Sequence, residues 1–347
     1  MNARMATKTM QALVLDRSSP TEAPTLALRT IEAKAPAAGE VTVALRAAAL
    51  NRRDVWIRAG KYGGIKLPAI LGSDGAGVVT AAGPGVPERL VGSEVVINPS
   101  LAWGPSETIP GDSFRVLGMP DDGTFAEEIR IAATHVQPRP AHLSWAEAAA
   151  LPLAGLTAYR ALCVRGRLRP GETVLIPGIG SGVSTMVLML AHYLGARTVV
   201  TSSSPEKLAR AKELGADFGI SYREADWEKQ IVSWCGDRPP DLVVDGVGGE
   251  TWQKCVTAVR PGGRVVNYGA TSGLPTLDLR RLFWRQLEVL GSTMGSERDF
   301  REMLSLVTAG RLKPLVDQVY PLTEAGAAME RMERNEHMGK IVLQIRE

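Results

Sequence analysis

From residue 173 to residue 290 one pattern recurs: a short apolar run, a glycine-marked turn, then a helical stretch. Residues 173–177 (TVLIP) run into 177–184 (PGIGSGVS), and a helix is expected over 183–194, closed by Gly195. Residues 197–201 form the next apolar run and 205–214 the next helix, closed by Gly215. Residues 241–245 (DLVVD), 263–268 and 287–290 read as three further strands. Uninterrupted apolar runs suit strands covered on both faces. Strands alternating with helices of ~10–15 residues call for right-handed crossovers and a parallel sheet. The fold class is therefore α/β, with a doubly wound Rossmann domain in this half of the chain.

The first glycine turn follows a strand and opens a helix, the setting in which a glycine-rich loop binds a dinucleotide. Gly178, Gly180 and Gly182, with Ser181 and Val183 between and after them, let the backbone turn tightly and let a pyrophosphate approach the helix N-terminus. The spacing departs from G-x-G-x-x-G, because position 183 is Val. The strand that follows ends in Ser202-Ser203-Ser204-Pro205-Glu206-Lys207. NAD enzymes carry an acidic residue at such a strand end for the ribose hydroxyls. Hydroxyls and a lysine suit a 2′-phosphate instead. NADPH is the expected cofactor, held by Ser202, Ser203 and Lys207, while Ser204 caps the next helix.

Before residue 150 the texture differs. Residues 12–16, 40–49 (EVTVALRAAA), 75–80 and 94–97 read as short strands separated by frequent Gly and Pro, a β-rich pattern. Residues 98–123 form a long loop. The last strand-like run, 340–345 (KIVLQI), is expected to return to this first domain. The expected division is 1–150 with 310–347, and 151–309 for nucleotide binding; the first few residues are expected to be loose.

Composition narrows the function. The chain has 347 residues with 40 Lys+Arg and 37 Asp+Glu, so 40 − 37 leaves a net charge of +3. That gives no basic field for nucleic acid. No run approaches the ~20 apolar residues of a membrane span, and no apolar segment of a leader follows the first residues. The three cysteines are widely spaced, which argues for reduced thiols and a cytoplasmic protein.

Several stretches together carry a family likeness: 49–62 (ALNRRDVWIRAGKY), 71–79 (LGSDGAGVV), 150–162 (ALPLAGLTAYRAL), 173–195, 241–249 (DLVVDGVGG) and 261–269 (PGGRVVNYG). Over nearly its whole length the chain resembles the medium-chain dehydrogenase/reductase superfamily, and within it the zinc-independent quinone oxidoreductase (zeta-crystallin-like) branch. The resemblance implies a GroES-like β-rich catalytic domain made from both chain ends, with the Rossmann domain inserted. It also implies a homodimer or homotetramer joined through the edge of the Rossmann sheet, near residues 269–290. Zinc enzymes of the superfamily use a Cys, a His and a further Cys or Asp as ligands. Asn51, Ser73 and Leu153 or its neighbour stand at those positions, and 98–123, where a structural-zinc lobe would lie, has no Cys or His. No metal is expected.

The same resemblance implies a substrate site of Asn51 and Tyr62, with Trp56 where another tyrosine is common; the indole favours a flat aromatic substrate. Thr157 is expected beside the nicotinamide, with Gly248, Gly269 and Ala270 on strand-end loops near it. Tyr222 is expected near the 2′-phosphate and Lys340 on the adenosine side. Ser184 takes the place of the usual last glycine and is expected to shift its helix. Asp54 and Asp74 read as structural. The expected function is NADPH-dependent hydride transfer to quinones or other conjugated carbonyl compounds, which need no metal because conjugation spreads the developing charge. The alternatives are an enoyl-thioester reductase, to which Arg52, Arg53 and Lys61 could lend a basic patch, and a non-catalytic NADPH-binding protein.

Overall fold

The structure, a computed structural model, describes residues 8–346, so the expectation for the first few residues lies outside it. The chain divides into two compact units: residues 8–153 with 296–346, and Ala154–Gly295. Residues 296–309, read from the sequence as the end of the nucleotide-binding domain, fall in the first unit. There the helix Glu297–Ala309 buries Phe300, Met303, Leu304 and Val307, and the Ser296 hydroxyl donates to Glu107 at 2.5 Å.

The first unit is built on a seven-stranded sheet around the strand Glu40–Ala49. That strand pairs antiparallel with Asp74–Ala82, with Glu128–Ala132 and with Lys340–Gln344. The short helix Trp145–Ala150 packs over it. Ala148, Ala149 and Ala150 on the helix and Ala47, Ala48 and Ala49 on the strand are all buried, and such small side chains let the two backbones approach closely. Ser144 and Glu147 form a capping box at the start of this helix, a device contributing about 1 kcal/mol. Among the strands not read from the sequence are Thr25–Glu32 and Val316–Pro321. Their residues are largely half-buried or exposed, so they carry no apolar run.

The register of the central sheet decides the site. Ala49 lies opposite Asp74 on one side and opposite Val342 on the other. The end of one strand, Leu50–Asn51, is thereby held beside the starts of two others, Asp74 and Lys340.

The second unit is a six-stranded parallel sheet in the order Phe218–Ser221, Arg197–Ser202, Thr173–Ile176, Leu242–Asp245, Arg264–Asn267, Glu288–Gly291. This is a doubly wound arrangement whose strand order reverses beside Thr173–Ile176. The five strands read from the sequence are all present. The sixth, Phe218–Ser221, sits at an edge with Ile220 alone buried, so no hydrophobic run marks it. Trp227, Ile231, Trp252 and Val256 fill one core layer against the sheet. Among the described residues no helix is long and apolar enough to cross a membrane.

Candidate active site

Asn51 ends the loop after the central strand and caps the helix Arg52–Arg58. Its Nδ2 donates to Asp74 Oδ2 at 2.9 Å, and its Oδ1 accepts from Lys340 Nζ at 2.7 Å. Lys340 Nζ also donates to Asp74 Oδ2 and to the Leu50 carbonyl, both at 2.7 Å. The other Asp74 oxygen accepts the Leu153 backbone N–H at 2.7 Å. Lys340 is 3% exposed and Asp74 is fully buried. This is a neutral, closely satisfied cluster; removing one charge alone would strand the other, at about 3–5 kcal/mol.

The expectation for Lys340 is corrected here. All three ammonium protons are taken by acceptors of the first unit, and burial leaves none for an adenosine phosphate. The short segment GKI gave no sign of burial. Asp74, read as structural, is the acceptor at the centre of the cluster.

Arg53, one residue along the capped helix, is also buried. Its guanidinium donates to the Ser73 hydroxyl at 2.7 Å and the Leu117 carbonyl at 2.6 Å, and reaches Val116 and Met119 carbonyls at 3.4 Å. Nε donates to the Tyr62 hydroxyl at 3.3 Å, and the guanidinium lies 5.1 Å from the Tyr62 ring centre. Arg53 thus ties Tyr62 and the loop around residue 117 to the helix that Asn51 caps. Because the Tyr62 oxygen accepts from Arg53, its own proton is left to donate elsewhere. The side chain of Arg52 is occupied by the Met332 carbonyl and Asn335. Neither arginine offers the basic patch considered for a thioester substrate. Trp56 is half-buried on the same helix.

In the second unit the glycine turn is closed by two hydroxyls, one from the neighbouring strand and one from the helix it opens. The Gly178 N–H donates to Thr201 Oγ1 at 3.1 Å, and the Gly180 N–H to Ser184 Oγ at 3.2 Å. Gly178 and Gly180 both have positive φ, +64° and +143°, which a side chain would strain. Ser181 caps the helix Gly182–Tyr193 by accepting from Ser184 N at 3.0 Å. Ser184, buried where a glycine is usual, therefore bridges the turn. The first-turn amides of Gly182 and Val183 have no intrahelical acceptor, a ready anion site.

At the end of the strand Arg197–Ser202, the Tyr222 hydroxyl donates to Ser203 Oγ at 2.9 Å. The Ser202 hydroxyl accepts the Ser204 N–H at 3.2 Å. The Lys207 side chain runs beside the glycine turn: a β-carbon on Gly180 would stand 3.3 Å from its Nζ. The carboxylate of Glu206 accepts from the Ser204 hydroxyl at 2.6 Å. Gly248 lies against Ala270, where a β-carbon would come within 3.2 Å. The Gly269 carbonyl accepts from Asn267 Nδ2 at 2.8 Å, and Thr157 is buried with its hydroxyl 3.9 Å from Met294 Sδ.

One organising residue was missed by the sequence reading. Asp245, fully buried, accepts the Val247 and Gly248 N–H groups and Asn267 Nδ2, joining two strand-end loops. Burial raises its carboxyl above the ordinary range. The aspartate ending the DLVVD strand was the available signal.

Residues 37–141 match the family model described as alcohol dehydrogenase GroES-like domain, and residues 182–309 match that described as zinc-binding dehydrogenase. The chain is 34% identical to the zinc-type alcohol dehydrogenase-like protein YogA of Leptosphaeria maculans, over 92% of this chain and 94% of that one. The chain belongs to the medium-chain dehydrogenase/reductase superfamily and is quinone-oxidoreductase-like. A solved NAD-dependent alcohol dehydrogenase superposes on this reductase-family fold with a TM-score of 0.91 at 39% identity, covering 97% of this chain and 100% of that one. The crotonyl-CoA carboxylase/reductase AntE, solved with NADP, gives 0.89 at 26% identity, over 98% and 96%.

In this medium-chain oxidoreductase Asn51 and Leu153 both contact Asp74, and Ser73 precedes it; Asn51, Ser73 and Leu153 or its neighbour are the positions at which the resemblance implies zinc ligands. Among the described residues no group of three His, Cys, Asp or Glu could hold a metal ion. The cation at this point of the fold is the Lys340 ammonium.

Proposed function

We propose that this oxidoreductase is an NADPH-dependent, zinc-independent reductase of quinones or other conjugated carbonyl compounds. The observation that carries the reading is the Asn51–Asp74–Lys340 cluster. It puts a neutral amide donor, held by a buried ammonium, at the position where the family resemblance implies that zinc relatives carry a thiolate. A carboxamide is too weak a ligand for zinc, and too weak an acid to drive alcohol–ketone exchange by itself. It suffices as a hydrogen-bond donor to a carbonyl whose charge is spread by conjugation.

The donor set of the second unit suits NADPH: the Ser202 and Ser203 hydroxyls and the Lys207 ammonium for the 2′-phosphate, with Tyr222 donating to Ser203 and Glu206 folded onto Ser204, and the first-turn amides of Gly182 and Val183 for the pyrophosphate. Thr157, Gly248, Gly269 and Ala270 would line the nicotinamide side. The bound cofactor would supply a hydride. Asn51 would hold the carbonyl oxygen, the Tyr62 hydroxyl or solvent would add the proton, and Trp56 would offer a flat apolar surface. One hydride and one proton turn a quinone into a hydroquinone and leave NADP+.

An enoyl-thioester reductase is the second reading, supported by the likeness to the crotonyl-CoA carboxylase/reductase. The occupied Arg52 and Arg53 weigh against it. The protein is also expected to self-associate. Glu288–Gly291 is an edge strand with Val289 exposed, and the neighbouring helix Leu279–Trp284 exposes Leu279, Phe283 and Trp284, the last by 83%. Such an apolar edge calls for a second copy.

The test is NADPH consumption by chelator-treated protein with an ortho-quinone, with NADH and a 2-enoyl thioester in parallel. Rapid loss of NADPH with the quinone supports the reading. Loss with the thioester alone favours the second, and activity that returns only on adding zinc refutes both.

A further inference from the structure

A carboxamide has one acceptor oxygen and two N–H donors. The Lys340 ammonium can only donate and an ionised Asp74 can only accept. The Asn51 amide can therefore stand only one way round, Oδ1 toward Lys340 and Nδ2 toward Asp74. The ammonium has three protons and three acceptors, Leu50 O, Asn51 Oδ1 and Asp74 Oδ2. Asp74 Oδ1 is taken by Leu153. The second Nδ2 proton of Asn51 has no acceptor among the described residues.

We propose that Lys340 and Asp74 are positioning residues for hydride transfer: they lock the Asn51 carboxamide so that its second N–H is a preset donor to the substrate's carbonyl oxygen. The inference rests on the reading of Asn51 as a substrate contact. A positive charge on Oδ1 also polarises the amide and strengthens its N–H as a donor. The polarising role that a metal performs directly is here relayed from an ammonium through a neutral amide. No part of the device needs to move during turnover, which is what makes a donor effective in a transition state.

The test compares Asn51→Ala, the double variant Lys340→Met with Asp74→Asn, and the triple. The double variant removes both charges together, so neither is stranded. Asn51→Ala should lower kcat with a quinone roughly 100-fold, the loss typical of one preorganised donor. The double variant should lower it roughly tenfold or more, with NADPH affinity by fluorescence titration unchanged. The triple should be no slower than Asn51→Ala, because the pair acts through that amide. Losses that multiply would overturn the inference, since they mark a scaffold role.

A second readout does not depend on turnover. The two Nδ2 proton resonances of Asn51, identified by their loss in Asn51→Ala, should be sharp and slow to exchange in the wild type. They should move and broaden in the double variant; identical resonances in both overturn the inference. If no quinone is reduced by the wild type, the functional reading fails and the resonances still decide whether the pair fixes the amide.

Discussion

Asp54 sits in the first turn of the helix Arg52–Arg58, fully buried. One oxygen accepts the Asn51 N–H at 2.8 Å; the other has no partner among the described residues. Burial pushes this carboxyl up to about 6, against the pull of Arg53, the Asn51 N–H and Lys340. A raised carboxyl works opposite to a salt-bridged one. The folded state binds the proton more tightly than the unfolded chain, so the protonated form stabilises, and that stability falls as pH rises from ~4 to ~6 and is constant above. A shift of about two units amounts to about 3 kcal/mol. About 1.4 kcal/mol of it develops between about pH 5 and about pH 7.5. Asp54→Asn is neutral throughout and keeps an oxygen for the Asn51 N–H. Its unfolding free energy, measured by urea denaturation and compared with wild type, should therefore gain about 1.4 kcal/mol across that interval. A difference that stays flat would mean that Asp54 ionises as an ordinary carboxyl and that its burial is compensated. A flat difference is equally what Arg53 and Lys340 would give if they held the carboxyl ionised, the dependence then falling below about pH 4.

Lys207→Ala should raise the KM for NADPH by roughly 10–100-fold, the loss of one charge-assisted contact, while leaving that for NADH unchanged. Equal effects on both cofactors, in steady-state assays, would remove Lys207 from the 2′-phosphate site. Phe283→Ser with Trp284→Ser should yield monomers in sedimentation velocity that keep the wild-type circular-dichroism spectrum, since both side chains are largely exposed on the single chain. A wild type that sediments as a monomer would refute the edge-strand interface. Gly180→Ala, at a φ of +143° and against Lys207, should cost about 1 kcal/mol or more of stability and weaken NADPH binding, measured by melting with and without NADPH.

Much of this protein is written locally. TVLI and LVVD are uninterrupted apolar runs because both their faces are covered, and each became a fully buried strand. Ser204 announced its helix as an N-cap, a matter of the nearest three residues, and Ser181, read only as part of the glycine turn, caps the other. The Ser203 and Lys207 pattern was legible for the same reason, being one strand end and one helix turn. Phe218–Ser221 escaped notice because an edge strand buries little, and edge position is a property of the sheet.

Lys340 shows what the chain alone does not disclose. A lysine opening a strand reads as a solvated cation, and nothing within several residues of it says otherwise. Its burial follows from the antiparallel register that sets Ala49 against both Asp74 and Val342 and so brings three segments distant in sequence to one point. Asn51 and Asp74 could be named from their neighbours. Their joint orientation could not, because it depends on an ammonium some 290 residues along the chain that donates to Asn51 in the folded state alone. Local pattern fixed the elements and the kind of cofactor they suit; the sheet register decided which charge stands beside the Asn51 amide.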